Sequence, residues 1–250
     1  MLGGVGVDNT AWSEPWLFPI LAHLLTVKEG VMIDVGVNLG QTLIKLLALD
    51  GNRRYVGFEP NPLCVHYANA VAVANAARQV TIVPCGLSDR FGVVRLFSRG
   101  PMDSAASVIE GFRDSSEYSD SSLVCIARGD DVLSTIEPGP VAIIKVDVEG
   151  GELEVLAGLT RTIAQHRPFI VCEVLPVYDE ASSIGAIRRA RTDALLNQLA
   201  TLDYDIYRML HDARLTWLTT IPTHADLELS DYLFAPRESA RAVDALLDSP

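Results

Sequence analysis

A short glycine-containing segment has the residue types needed to hold a nucleoside-like ligand. Residues 31–42 read V-M-I-D-V-G-V-N-L-G-Q-T, an apolar run that ends in Asp34 and a turn with Gly36 and Gly40. The glycines permit positive φ and close approach to a ligand, and the Asp34 carboxylate can accept a hydrogen bond from an amino group. An acid ahead of the first glycine repels a pyrophosphate and attracts an ammonium, such as that of a methionine moiety. A tight turn without a ligand is the alternative.

Two further polar positions follow the next two apolar runs. Glu59 lies in V-G-F-E-P-N-P, where a parallel nucleotide-binding sheet places a carboxylate that accepts both ribose hydroxyls. A solvated acid at the end of a strand is the simpler explanation of Glu59 alone. Ser88 and Asp89 end the third run and could hydrogen-bond an adenine edge, although an ordinary Asx or Ser turn explains them almost as well.

A fourth apolar run carries charged residues at alternate positions. Lys145, Asp147 and Glu149 share one face of a strand in the sequence I-I-K-V-D-V-E-G-G-E. Because unpartnered buried charges are costly, we expect a salt-bridged trio at a ligand site, with a purely structural ion-pair network as the alternative. Glu173 ends the fifth run at the same edge and is a second candidate for proton chemistry.

The elements that must position these residues alternate along the chain. Apolar, β-branched runs predict strands at residues 31–35, 55–59, 80–84, 142–148 and 169–174. Segments of helical period predict helices at residues 42–49, 63–77, 152–165 and 184–202. This alternation is typical of an α/β fold with a doubly wound, Rossmann-like, mostly parallel sheet, whose ligands bind at the carboxyl ends of the strands.

Three regions depart from the alternation within what we expect to be one domain over residues 1–250. Residues 1–30 form an N-terminal segment in which residues 16–25 predict a short helix that leans on the domain or covers its crevice. Residues 90–140 form a long insertion, which in compact domains is often a lid or binding loop. Residues 204–236 hold two strand-like runs, at 204–210 and 232–236, that are joined by a connecting segment.

Composition limits the classes of partner. The chain has 250 residues, 49% hydrophobic composition and a formal charge of −12 from 32 acidic and 20 basic residues. This charge repels a phosphate backbone, so we expect no nucleic-acid partner. The apolar stretches are too short to cross a bilayer and the first residues lack a basic leader, so we expect a cytoplasmic protein without a membrane partner. No pattern in the sequence indicates the oligomeric state.

Five stretches together resemble the FkbM family of class I methyltransferases that depend on S-adenosylmethionine (SAM). They are D-V-G-V-N-L-G-Q-T, F-E-P-N-P, G-L-S-D, K-V-D-V-E-G-G-E-L-E-V-L-A-G and the late D-Y-L-F-A-P. The combination in this order is more specific than any one motif. Two positions depart from the family pattern: Val37 stands where many members have a small residue, and Gly129-Asp-Asp replaces a common Leu-Asp pair.

The resemblance implies a fold, a cofactor and a reaction. The fold is a seven-stranded, mostly parallel sheet with one antiparallel strand, in which residues 204–210 and 232–236 form the final hairpin. The reaction is O-methylation of a hydroxyl group on a small-molecule acceptor, such as a sugar or a secondary metabolite. The residues expected to bind SAM are Asp34, Gly36, Asn38, Gly40, Glu59, Pro60, Ser88, Asp89 and Asp147.

Methyl transfer to a hydroxyl group requires removal of its proton. Asp147 and Glu173 are the first candidates for general base or substrate positioning, since both lie at carboxyl ends of central strands. His211 and His224 rank below them. We expect no resident metal, although Asp147, Glu149 and Glu173 offer the oxygen ligands that hard cations take.

Two other functions compete with this interpretation. A nicotinamide-dependent oxidoreductase is disfavoured, because the sequence lacks G-x-G-x-x-G and a Tyr-x-x-x-Lys pair. A non-catalytic nucleotide-binding scaffold could keep the same sheet, since a fold alone does not establish a function.

Overall fold

The computed structural model describes residues 13–247. Within them are eleven strands: β1 (Val31–Val35), β2 (Tyr55–Phe58), β3 (Val80–Val83), β4 (Gly86–Ser88), β5 (Gly92–Ser98), β6 (Asp120–Arg128), β7 (Val141–Val146), β8 (Phe169–Glu173), β9 (Tyr204–Met209), β10 (Leu215–Leu218) and β11 (Asp231–Pro236). The helices are α1 (Leu17–Val27), α2 (Gln41–Leu49), α3 (Pro62–Ala74), α4 (Gly129–Ile136), α5 (Glu152–Gly158), α6 (Thr160–His166), α7 (Ser183–Thr201) and α8 (Ala240–Val243).

The central sheet confirms the predicted winding. Its eight strands lie in the order β10-β9-β11-β8-β7-β1-β2-β3. Five neighbouring strands run parallel to one another: β8, β7, β1, β2 and β3. The chain winds outward from β1 through β2 and β3, then returns to the other side of β1 with β7 and β8. The winding therefore reverses between β1 and β7, and their carboxyl ends open a crevice of the kind in which ligands bind.

The central sheet has one strand more than the seven that were expected. The seven strands that the resemblance implies are present, and β11 lies antiparallel between β8 and β9. An eighth strand, β10, pairs antiparallel with β9 at the outer edge. The backbone amide of Leu210 donates to the carbonyl of Arg214 over 2.9 Å, so the chain doubles back after β9 before it reaches β11. The sequence analysis did not predict β10, which follows this tight turn.

Two helical predictions need correction. The single helix predicted at residues 152–165 is two helices, α5 and α6, which meet at Leu159, where ψ is 11°. Helix α4 was not predicted, because residues 129–136 begin with glycine and two acids inside a region interpreted as an insertion. The other predicted helices and strands are confirmed to within a few residues at their ends.

Most of the insertion at residues 90–140 is regular structure. Strands β4, β6 and β5 form a second, smaller sheet in which β5 and β6 are antiparallel. Leu96 of β5 and Ile126 of β6 turn toward the carboxyl ends of the central strands and line the cavity there. The small sheet thus forms a wall of the crevice.

Apolar clusters cover both faces of the central sheet. Met32 and Ile143 pack with α1 and α2 on one face, whereas Ile33 and Ile144 pack with α5 and α7 on the other. The predicted N-terminal helix is confirmed as α1, whose buried residues belong to the first cluster. No helix within residues 13–247 is both long and apolar enough to span a bilayer. The single domain over residues 1–250 stays a prediction, and residues 1–12 lie outside the described part.

Candidate cofactor and active site

A cavity of about 290 Å³ lies at the carboxyl ends of β1, β2 and β7. The turns after these strands form its floor, and the small sheet and residues 103–108 form one wall. Ser13 and Glu14, just ahead of α1, contribute to its lining as well. The crevice that the winding predicts is therefore a real cavity, and the N-terminal segment both leans on the domain and reaches this opening.

The glycine turn after β1 brings two strand ends together. Gly36 has φ +89°, and a Cβ atom built there would lie 1.8 Å from the carbonyl oxygen of Asp147. The backbone amide of Asp147 in turn donates to the carbonyl of Val35 over 2.9 Å. Only glycine satisfies both the positive φ and this contact. Gly40, with φ +85°, precedes α2 but lies outside the cavity lining.

Glu59 is held by two backbone amides at the floor of the cavity. Its Oε2 accepts from the Asn38 amide and its Oε1 accepts from the Asn61 amide, each over 2.8 Å. Burial raises the pKa of Glu59 to about 7. A carboxylate offers about four acceptor positions, so both oxygens can still accept from ligand hydroxyls. Asn38 and Pro60 line the cavity beside it, as the sequence analysis expects of cofactor-binding residues.

Asp34 is placed differently from the expectation. Its side chain is wholly buried, its Oδ2 accepts from the Tyr55 hydroxyl over 2.6 Å, and its Oδ1 has no hydrogen-bond partner within residues 13–247. Burial raises its pKa to about 6. Strand alternation turns Asp34 to the face that Met32 shares with α1 and α2, and Asp34 does not line the cavity. Direct contact between Asp34 and a ligand stays a prediction.

Three carboxylates converge at the end of the cavity formed by β7 and β8. One oxygen from each of Asp147, Glu149 and Glu173 lies within 4.8 Å of the others, and all three residues line the cavity. The Lys145 ammonium donates to Asp147 Oδ2 over 2.7 Å, and Arg113 forms an ion pair with Glu149. The expectation of a salt-bridged trio on one strand is therefore wrong: β7 ends at Val146, Asp147 follows it directly, and Glu149 occupies a turn with φ +55° and pairs with Arg113 instead of Lys145.

The protonation of this carboxylate cluster is uneven. Burial together with the charge of neighbouring Asp147 raises the pKa of Glu173 to about 11. For Asp147, burial acts in the opposite direction to Lys145, and the Lys145 ammonium prevails and lowers the pKa. Near neutral pH the pair therefore holds one proton on Glu173 and one negative charge on Asp147. The three oxygens could also hold a divalent cation, so the absence of a resident metal stays a prediction.

Besides Asp34 and Gly40, three expected site residues lie outside the cavity lining, namely Ser88, Asp89 and His211. Gly86 and Leu87 line this part of the cavity, and Ser88 and Asp89 do not. The Ser88 carbonyl packs instead against Gly158 of α5, where a Cβ atom built on Gly158 would lie 2.0 Å from the Ser88 carbonyl oxygen. His211 lies in the β9–β10 turn, stacks on the Trp16 ring at 5.2 Å and stays 3.9 Å from the Asp231 carboxylate. His211 therefore has a packing partner and no place in the cavity.

Sequence reasoning missed three charged residues of the site: Glu14 and Asp103 in the cavity lining, and Arg113, which pairs with Glu149. Glu14 and Arg113 reach it from segments whose amino-acid patterns carry no motif, so nothing local in the sequence marks them. The β1 turn, Glu59 and the β7 acids were found because each follows a strand that the apolar pattern identifies.

Comparison with known proteins decides the family. Residues 34–210 match the family model described as the methyltransferase FkbM domain, which is well over half of the chain. The chain belongs to the FkbM methyltransferase family. Its fold is that of class I methyltransferases, and the cofactor of this family is SAM. The nicotinamide-dependent alternative is accordingly set aside.

Similar proteins cover the chain only in part. The chain is 25% identical over 143 residues to a tRNA U34 carboxymethyltransferase of Cellvibrio japonicus, covering 52% of this chain and 44% of that protein. It is 30% identical over 116 residues to the enzyme of the same name from Shewanella loihica, covering 44% and 34%. The structure of a methyltransferase FkbM from Methylobacillus flagellatus matches with TM-score 0.51 and 19% identity over 82% of this chain and 43% of that one. The chain thus spans less than half the length of these proteins.

Proposed function

We propose that this FkbM family member methylates a hydroxyl group of a small, uncharged molecule, such as a sugar or a secondary metabolite. The observation that carries the proposal is the Asp147–Glu173 pair, whose carboxyl groups line the cavity at the ends of β7 and β8, with the Lys145 ammonium 2.7 Å from Asp147 Oδ2. An ionised carboxylate at the transfer site is a base for a hydroxyl proton, and a protonated neighbour can donate a hydrogen bond to the acceptor.

The lining of the cavity supports a defined placement of SAM. The ribose hydroxyls would meet Glu59, whose two oxygens are already oriented by backbone amides. The adenine would lie beside Gly86, Leu87 and Ile126, which form an apolar part of the lining. The methionine moiety would then extend along the Gly36 turn toward β7, so that the methyl group points at the carboxylate cluster.

Charge favours the methyl donor over its product. SAM carries a sulfonium and an ammonium against one carboxylate, whereas the demethylated product loses the sulfonium charge. Acidic residues dominate the cavity, with Lys145 as the single lysine or arginine in the part of the lining that the structure describes. Opposite charges a few ångströms apart attract more strongly in a partly buried site than in water. The cavity is therefore suited to bind the cation and release the neutral thioether.

Methyl transfer in this site would be an in-line displacement. As the acceptor oxygen bonds to the methyl carbon, the carbon–sulfur bond breaks, its electron pair goes to sulfur, and the hydroxyl proton passes to Asp147. The Lys145 ammonium holds Asp147 in place and keeps it ionised before the proton arrives. Because Asp147 and the Gly36 turn that would hold the donor follow the adjacent strands β7 and β1, alignment would supply much of the acceleration.

The acidic lining also bears on the acceptor. Phosphate groups would meet Glu14, Asp147 and Glu149 on approach, which disfavours a nucleic acid. The two curated relatives act on tRNA by name, so tRNA is the second candidate acceptor. An uncharged acceptor fits the electrostatics of this cavity better.

Transfer of labelled methyl from SAM tests the acceptor. Purified protein would be offered neutral sugars and phenols, their phosphorylated counterparts and bulk tRNA under the same conditions. We expect incorporation into a neutral hydroxyl compound and much less into its phosphorylated counterpart. Incorporation into tRNA with none into small molecules would overturn the proposal.

A further inference from the structure

The cavity wall includes an acid that belongs to neither the FkbM motifs nor the central sheet. Glu14 precedes α1, lines the cavity together with Ser13, and has φ +48°, a backbone conformation uncommon for residues other than glycine. Its carbonyl accepts from the Leu17 amide over 3.0 Å in the turn that starts α1. The backbone of this turn fixes where the Glu14 carboxyl group points.

Glu14 is held by a buried cation. The Lys45 ammonium lies 3.4 Å from Glu14 Oε2, and the Lys45 side chain is 1% exposed, whereas that of Glu14 is 30% exposed. Burial lowers the pKa of Lys45, and the charge of Glu14 acts in the opposite direction. A buried ion pair is a poor device for stability, since desolvation offsets most of the attraction. Orientation of the carboxylate is a better account of why a lysine is buried on this face of α2.

The segment that carries Glu14 is tied down along its length. Trp16 stacks on His211, His23 Nε2 lies 2.6 Å from the Ala242 carbonyl, and the Lys28 ammonium donates to the His166 and Arg167 carbonyls over 2.8 and 2.5 Å. These contacts fix both ends of α1 against the rest of the structure. Glu14 is therefore a fixed part of the cavity wall.

The methionine end of SAM is the group that this acid can meet. Glu14 lines the same cavity as Gly36, Lys145 and Asp147, at the carboxyl ends of β1 and β7. An acid there repels the carboxylate of the methionine moiety and attracts its ammonium. Asp34, the acid expected for this role, is sealed beneath the cavity with Tyr55.

We propose that Glu14 binds the ammonium group of the methionine moiety of SAM, and that Lys45 is a positioning residue for Glu14. This inference rests on the proposed placement of SAM in the cavity. It assigns to the N-terminal segment a part of the cofactor site that lies ahead of the family match at residues 34–210. The segment thereby takes part in recognition of the amino-acid end of the cofactor.

A ligand pair that differs only in the amino group tests the assignment. The full chain would be titrated with S-adenosylhomocysteine and with its analogue that lacks the α-amino group. A charged hydrogen bond contributes about 1.5 to 3 kcal/mol, so we expect the wild type to prefer the amino compound by about 10-fold to 100-fold. Glu14→Gln and Lys45→Met should reduce this preference to about threefold or less.

The control is Glu29→Gln, an exposed acid that follows α1 and lies outside the cavity. This variant should keep the wild-type preference. Equal loss of affinity for both ligands in Glu14→Gln would show a structural role only and overturn the assignment, as would an unchanged preference. Absence of any affinity in the wild type would instead contradict the placement of SAM in the cavity, so the two failures are distinguishable.

Discussion

The hydroxyl group of Tyr55 lies 2.6 Å from Oδ2 of Asp34, and both side chains are fully buried. The two residues sit on adjacent parallel strands, with Asp34 opposite Gly57 and beside Lys145 in the sheet register. The acid that opens the glycine motif thus has a hydrogen-bond partner within the protein. This contact joins the ends of β1 and β2 beneath the cavity.

Tyr55→Phe should destabilise the protein in a pH-dependent way. Asp34, with its pKa raised to about 6, is ionised at pH 8. The variant therefore lacks a hydrogen bond to a charged carboxylate, which is worth about 1.5 to 3 kcal/mol. The folded protein binds the Asp34 proton more tightly than the unfolded chain does. The free energy of unfolding therefore falls as the pH rises from the unfolded pKa of Asp34 through about 6. Without the phenol the folded pKa rises further, and the deficit should be larger at pH 8 than at pH 5.

Denaturant unfolding at both pH values measures this deficit. Tyr67→Phe, which changes a half-buried tyrosine on α3, is the matched control and should be nearly neutral. A Tyr55→Phe deficit that is equal at pH 5 and pH 8 would contradict the account of Asp34.

Gly36→Ala should damage the cofactor site more than a glycine substitution at an open position. Its Cβ atom would overlap the Asp147 carbonyl oxygen, and the φ of +89° adds strain. Gly139→Ala is the matched control, since Gly139 has φ +86° and no atom within 4 Å of the added carbon. Gly139→Ala should cost about 1 to 2 kcal/mol in unfolding free energy and leave SAM affinity unchanged.

Unfolding free energies and SAM titrations of both variants distinguish strain from overlap. Gly36→Ala should lose more stability than Gly139→Ala and bind SAM more weakly. Equal stability losses with unchanged SAM affinity would show that the β1 turn tolerates the side chain.

Asp147→Asn and Glu173→Gln should differ sharply in turnover. Asparagine removes the ionised base, so kcat at saturating substrates should fall by about 10²-fold to 10⁴-fold. Glutamine resembles the neutral carboxyl group that Glu173 carries, with its pKa at about 11, so kcat should stay within severalfold of the wild type. A large loss in Glu173→Gln with little loss in Asp147→Asn would reverse the assigned roles.

Chelation should leave turnover largely unchanged. Lys145 and Arg113 already pair with Asp147 and Glu149, and the raised pKa of Glu173 favours its protonated form, so the carboxylate cluster lacks three free, ionised oxygens with which to coordinate a divalent cation. Rates measured after treatment with a chelator, with and without added Mg²⁺, test this. Loss of turnover that Mg²⁺ restores would show that the three carboxylates hold a metal.

The parts predicted from sequence are those that local pattern determines. The central strands are continuous apolar runs, and residues at their carboxyl ends must meet at one edge of a parallel sheet. Gly36, Glu59, Asp147 and Glu173 were therefore placed together correctly in the cavity lining. The position of each follows from the end of a strand rather than from any long-range contact.

The features that the sequence did not predict depend on packing between segments that are distant along the chain. Glu14 meets Lys45 across 31 residues and Arg113 meets Glu149 across 36, through segments without a recognisable motif. The orientation of Asp34 depends on strand alternation at the end of β1 and on a tyrosine of β2. The break at Leu159 leaves the helical apolar period intact, so the sequence shows one helix where the structure has two.

The central claim is that the cavity holds SAM with its ribose on Glu59. Calorimetric titration of SAM into the wild type, Glu59→Gln and the exposed-surface control Glu29→Gln tests it most directly. We expect one site per chain, an affinity weakened about 10-fold to 100-fold in Glu59→Gln, and no change in Glu29→Gln. Equal SAM affinity in the wild type and Glu59→Gln, or no binding by the wild type, would contradict the claim.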